Sequence, residues 1–142
     1  MPGPAVHAST LVVRLARELR TALDQAFAPW QLTSQQAGVL VHVYGGQDSP
    51  TELARLLGTD AAGMTRMIDR LESKGLLERR DHPGDRRAKV VALTRAGRRL
   101  VPELPAVFEE VGARLVGDLP PDDVLDLLGT LLANLVGHEG ER

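Results

Sequence analysis

Between Ser49 and Thr94 the hydrophobic period of the chain changes from that of a helix to that of a strand, and this change limits the fold more than any other feature of the sequence. In SPTELARLLG, Ser49 and Glu52 form the S-x-x-E pattern of a capping box, and Pro50 takes the first helical position, where its missing N–H costs nothing. Leu53, Leu56 and Leu57 share a face until Gly58, which predicts a helix of barely two turns. A second helix follows at once. Thr59 or Asp60 supplies its N-cap, Met64, Met67, Ile68 and Leu71 fall at i, i+3, i+4 and i+7, and Gly75 supplies a stop. From Leu76 the residues alternate as strands do. LLERR and RAKVVALT flank the polar DHPGDR, whose Pro83 and Gly84 suit the central positions of a type II turn, so a β-hairpin is expected.

The flanks read as helices. The first runs from about Ser9 to Phe27, with Leu11, Leu15, Leu19 and Leu23 on one face, and Pro29 ends it. In the second, Thr33 and Gln36 make a capping box, Ala37, Leu40, Val41 and Tyr44 line one side, and Gly45 and Gly46 stop it. After the hairpin, Thr94 caps a long fifth helix carrying Leu100, Leu104, Val107, Phe108, Val111 and Leu115, with Pro102 and Pro105 as sources of a kink. A sixth starts near Pro121 and carries Val124, Leu127, Leu128, Leu131, Leu132 and Leu135. Six helices and one hairpin make a mainly α fold with a small β wing. The last stripe needs cover, supplied either by a second copy of the chain or by the first helix.

The formal net charge of −2 hides an uneven division. Residues 49 to 100 hold twelve Lys or Arg against seven Asp or Glu, and the remainder five against twelve. From Arg86 to Arg99 there are six basic residues and no acidic one, the footprint expected for a polyanion, although a solvated charged face has the same composition. The absence of cysteine excludes disulfides, thiolate metal sites and thiol redox chemistry. His7, His42, His82 and His138 are isolated from one another, and the pairs Glu109-Glu110 and Asp122-Asp123 are adjacent residues that point in different directions on a helix. No G-x-S-x-G, H-E-x-x-H, P-loop or dinucleotide fingerprint is present, so no catalytic group, metal or cofactor is expected. Without a leader pattern or 18 consecutive apolar residues, the chain is expected in the cytoplasm with no membrane partner.

Helix, tight turn, helix and hairpin, in that order, predict a winged helix-turn-helix whose second helix offers its exposed face to a DNA groove. That face carries Ala62, Thr65, Arg66, Asp69, Arg70 and Ser73. Arg66 and Arg70 lie one turn apart, where a guanidinium reaches guanine O6 and N7 or a phosphate; the competing reading pairs them with Asp69 and Glu72. Gly63, costly inside a helix, points either to close approach of the helix to a groove or to a local packing need. Ser49 and Thr51 are candidates for backbone phosphate, though capping alone accounts for Ser49.

The run TELARLLGTDAAGMTRMIDRLESKGLLERR followed by DHPGDRRAKVVALTRAG resembles the MarR family of bacterial winged-helix regulators. The family's wing signature D-x-R-x5-L-T-x-x-G is met by Asp85, Arg87, Leu93, Thr94 and Gly97. The resemblance implies that Arg87 reaches a minor groove while Asp85 orients it, and Arg86 and Lys89 would add phosphate contacts. It also implies dimerisation through the first and last helices, and release from DNA by a small aromatic or phenolic ligand bound between those helices and the reading domain. Arg17, Trp30, His42 and Tyr44 are candidates for that ligand, since a cation and an aromatic wall suit it, with core and surface roles as the alternative. The expectation is therefore a sequence-specific, homodimeric repressor on a palindromic double-stranded DNA operator. Residues 1–32 and 98–142 would serve dimerisation, and residues 33–97 would read DNA. The alternative is a winged-helix module that binds protein and has no operator.

Overall fold

Proline and glycine punctuation sets the order of the elements. A computed structural model describes residues 1–137; His138 and the rest of the expected 98–142 segment beyond residue 137 lie outside the described residues. The helices are α1 (Pro4–Phe27), α2 (Ser34–Tyr44), α3 (Pro50–Leu57), α4 (Ala61–Ser73), α5 (Arg95–Leu100), α6 (Leu104–Val116) and α7 (Pro121–Val136). Strands β1 (Leu77–His82) and β2 (Asp85–Leu93) form an antiparallel hairpin between α4 and α5.

Two of these boundaries correct the sequence expectation. Helix α1 starts at Pro4, not Ser9, because a proline at the first helical position needs no hydrogen-bond acceptor. The long fifth helix is divided: α5 ends at Leu100, Val101–Glu103 forms a 3₁₀ turn, and α6 restarts at Leu104. Pro102 and Pro105 each sit in the first turn of the segment that follows, where the lost N–H breaks no ladder bond.

Caps fix most helix starts. Thr33 Oγ1 accepts the Gln36 N–H at 3.1 Å while Gln36 Oε1 accepts the Thr33 N–H at 3.1 Å, so the α2 capping box is complete. The α3 box is only half formed. Ser49 Oγ accepts the Glu52 N–H at 3.3 Å, but the Glu52 carboxylate turns outward to Arg55 instead of back to Ser49. Asp60, rather than Thr59, caps α4 by accepting the Gly63 N–H at 2.6 Å.

The core gathers Phe27, Leu32, Val39, Leu40, Leu53, Met64, Ile68, Leu71, Leu77, Val91, Leu93, Val101 and Leu104, contributed by α1, α2, α3, α4, the hairpin and the chain into α6. Each large side chain removed from water there contributes roughly 1.5–3 kcal/mol. Leu56 is 37% exposed and Ala54 is buried in its place, so α3 presents Leu53 and Ala54 inward. Met67 is half-buried.

The hairpin is also more irregular than its pattern. Pairing is regular from Leu77↔Leu93 to Asp81↔Lys89 and then jumps to His82↔Asp85, leaving Arg86, Arg87 and Ala88 without partners in a bulge on β2. Gly84 does not adopt the positive φ that a type II turn requires, and its N–H instead reaches His82 Nδ1 at 3.0 Å. At the base of the wing, Thr94 Oγ1 donates to the Gly75 carbonyl at 2.5 Å and accepts the Gly97 N–H at 3.1 Å, while the Thr94 N–H donates to the Leu76 carbonyl at 3.1 Å. Gly97 is required here: a Cβ at this position would overlap the Leu76 carbonyl oxygen.

Helix α7 stands apart. None of its residues is buried: Val124 is half-buried, and the exposed leucines run from 41% at Leu128 and Leu131 to 76% at Leu135. Burial of this stripe against α1 within one chain is therefore not what the fold does. The beginning of α1 is equally bare, with Leu11, Val12, Val13 and Leu15 exposed.

Candidate nucleic-acid interface

Helix α4 buries Met64, Ile68 and Leu71 and leaves Ala61, Ala62, Thr65, Arg66, Asp69, Arg70 and Ser73 exposed. The burial of one stripe thus fixes which residues face out. Thr65 Oγ1 donates back to the Ala61 carbonyl at 2.9 Å, so its hydroxyl retains acceptor capacity. The Gly63 position has a local cause: a Cβ there would press on Thr59 Oγ1 and lie 3.0 Å from Asp60 Oδ1, the capping oxygen. Thr51 is exposed at the start of α3, and the half-buried Ser49 is its cap.

The acids of α4 do not neutralise its arginines. Asp69 and Glu72 are both held from the wing by Arg79, whose Nη2 lies 2.6 Å from Asp69 Oδ1 and whose Nη1 lies 2.7 Å from Glu72 Oε1. The Arg79 N–H adds a bond to Glu72 Oε2 at 3.2 Å. Among the described residues, Arg66 and Arg70 have neither an ion pair nor a side-chain hydrogen bond. Arg79 was not a candidate from the sequence, because its partners lie seven and ten residues away and only the hairpin's return brings them together. The same clamp ties α4 to β1, so α4 and the wing share a charged joint as well as a core.

At the wing, Arg86 and Arg87 are exposed on the bulge and their guanidinium groups have no partner among the described residues. Asp85 Oδ1 accepts the Arg87 backbone N–H at 2.9 Å. The carboxylate therefore orders the bulge's main chain, while the Arg87 side chain stays unclamped. Lys89 pairs with Asp81, and Arg80 pairs with Glu78. These are exposed pairs of small net worth, which a phosphate could displace.

The four ligand candidates are not brought together. The Trp30 indole N–H donates to Glu103 Oε2 at 3.0 Å, and its ring stands edge-on to Phe27, 6.4 Å between centroids. Tyr44 lines a shallow hollow between α2 and the wing with Asp48, Arg80 and Pro83. Arg17 is exposed on α1 and His42 is half-buried on α2, and neither lines that hollow. Among the described residues, no cluster of three or more His, Asp or Glu could hold a metal, and no helix is long and apolar enough to cross a membrane.

Comparison with known proteins adds four findings. Residues 30–88 match the model of the MarR family. The chain is 28% identical to a mutant MarR from E. coli complexed with operator DNA, covering 92% of this chain and 95% of that one at a TM-score of 0.81. Its likeness to the reduced form of E. coli MarR has a TM-score of 0.71 at 29% identity, over 89% of this chain and 95% of that one. CouR from Rhodococcus jostii bound to p-coumaroyl-CoA matches at 26% identity and a TM-score of 0.81, over 95% of both chains.

Proposed function

From the match of residues 30–88 to the MarR family model, we propose that the chain is a winged-helix transcriptional regulator of that family, acting in the cytoplasm as a homodimeric repressor on a palindromic operator. In each subunit α4 lies in the major groove and the wing follows the adjacent minor groove. The observation that carries this reading is the set of four guanidinium groups, Arg66 and Arg70 on α4 and Arg86 and Arg87 on the wing, without partners among the described residues, while Asp69, Glu72 and Asp81 are occupied by other cations. Arg66 and Arg70 suit base edges or phosphate, and Ala62, Gly63 and Thr65 let the front of α4 approach closely. Ser49 and Thr51 flank it at the start of α3. Arg87 suits the negative potential of a narrow minor groove, with Asp85 shaping the loop that presents it and Arg86 and Lys89 meeting phosphates.

Residues 33–97 form the reading unit in this proposal, and the flanking segments 1–32 and 98–142 form the dimer. Two reading helices on a twofold axis meet half-sites about 34–36 Å apart. A small aromatic or phenolic ligand releases the dimer from DNA, a part supported by the CouR relative with its bound p-coumaroyl-CoA.

Selection of duplexes from a random pool by the purified chain tests the reading and supplies the site. Affinity for the selected palindrome is expected to fall steeply with salt, by a slope of about −0.9 per phosphate neutralised. Arg87→Ala is expected to weaken binding by about 1–3 kcal/mol without changing thermal stability. Equal affinity of this variant and the wild type would remove Arg87 from the interface.

A further inference from the structure

We propose that Lys74 is a positioning residue: its ammonium fastens the C-terminal end of α4 to the elbow between α1 and α2, and so holds the reading helix at the angle that fits the operator's half-site spacing. The proposal rests on the dimeric DNA-reading function above.

Lys74 is the C-cap of α4. Its side chain donates to the Gln31 main-chain carbonyl and to Gln36 Oε1, the latter at 3.2 Å. Both acceptors are themselves fixed. Gln31 closes the 3₁₀ turn after α1 in a left-handed conformation, φ 57°, the one non-glycine residue with positive φ among those described. Gln36 is 4% exposed, and the same Oε1 accepts the Thr33 N–H in the capping box of α2. On the other side of the elbow, Asp24 Oδ1 of α1 accepts the Ser34 N–H at 2.8 Å. The chain passing from the dimerisation helix into the reading domain is therefore pinned from α1 by Asp24 and from α4 by Lys74.

Beneath this joint Leu32 of the elbow and Leu71 of α4 share the apolar core, and the polar ties act at the surface above it. There an open hollow of about 640 Å³, lined by Ala28, Leu32, Thr33, Arg70 and Ser73 as well as the three tied residues, lies between the end of α4 and the elbow. The Lys74 bonds span it. Because both acceptors are neutral, the tie is a charge-assisted hydrogen bond and not an ion pair, and salt that dissociates DNA leaves it largely intact.

The test uses the duplex that the wild-type chain selects from a random pool, remade with one or two base pairs added or removed between half-sites. Lys74→Met keeps the aliphatic stem and removes the donors; Lys74→Arg restores donors. Lys74→Met is expected to bind the selected spacing on the order of threefold to tenfold more weakly. It should discriminate less between spacings and keep the wild-type salt slope, with Lys74→Arg recovering the discrimination. In DNA-free protein the amides of residues 31–36 should exchange faster in Lys74→Met. A salt slope lower by about one with spacing preference intact would make Lys74 a phosphate contact and overturn the proposal. Unchanged exchange at residues 31–36 would overturn it equally. A wild-type chain that enriches no duplex removes the DNA reading and this role with it, and is told apart because the exchange measurement needs no DNA.

Discussion

The middle of the molecule and its ends solve opposite problems. From α2 to α5 the chain buries its own leucines, caps its helices with Thr33, Ser49, Asp60 and Thr94, and leaves unpartnered arginine charge on its surface. At the ends the charge is acidic and what is left uncovered is apolar: Leu11 and Val12 on α1, and Leu125, Leu128, Leu131 and Leu135 on α7. In the proposed function a polyanion would complete the first surface electrostatically and a second copy would complete the other hydrophobically. The difference teaches that one chain can carry two recognition surfaces without confusing them, because charge and apolar area seek different partners.

The strongest way to break this contrast is at α7. Leu128→Glu with Leu131→Glu places four carboxylates in the proposed dimer core, and the expected cost is at least about 4 kcal/mol of association free energy. Sedimentation should then show monomers at concentrations where the wild type is dimeric, with operator affinity falling in parallel. A double variant that still sediments as a dimer would place the interface elsewhere.

Next in size is a change inside the self-sufficient middle. Gly97→Ala forces a Cβ against the Leu76 carbonyl, a backbone atom that cannot rotate away, and should lower stability by about 2–3 kcal/mol in thermal unfolding. The smallest effect is predicted for the Glu52–Arg55 pair. The hydrogen bond from Arg55, aided by its charge, holds the Glu52 carboxyl below the ordinary carboxylate range. Its contribution is present above that ordinary value and is lost as pH falls through the lowered one. Arg55 is exposed and Glu52 partly so, and the pair is open to solvent screening, so acid titration of wild type and Glu52→Gln should give nearly superimposable melting temperatures between neutrality and pH 5. A clear separation there would mean that surface pairs carry the stability here assigned to the core.

Local signals were legible in the sequence where only neighbours compete. The Thr33–Gln36 box, the Thr94 cap, the Met64–Leu71 stripe and the hairpin position all rest on residues within a turn or two of one another. The pattern misled where a side chain had two local options: Glu52 chose Arg55 over Ser49, and Gly84 bonded to His82 instead of making a type II turn. Long-range partners left no trace. Arg79 meets Asp69 and Glu72 only because the hairpin folds back, and Lys74 meets Gln31 across 43 positions. The arginines Arg66 and Arg70 were visible as candidates, but their freedom could be learned only from what occupies the acids beside them.

Thr94 joins three elements through one residue, touching the carbonyls of Gly75 and Leu76 and the amide of Gly97. A head built in this way behaves like a caliper whose jaws, α4 and the wing, are locked at one gap. Such a tool cannot open to suit a wider or narrower stretch of duplex. Tolerance for imperfect sites is therefore expected to be low within a half-site, where α4 and the wing are fixed to each other.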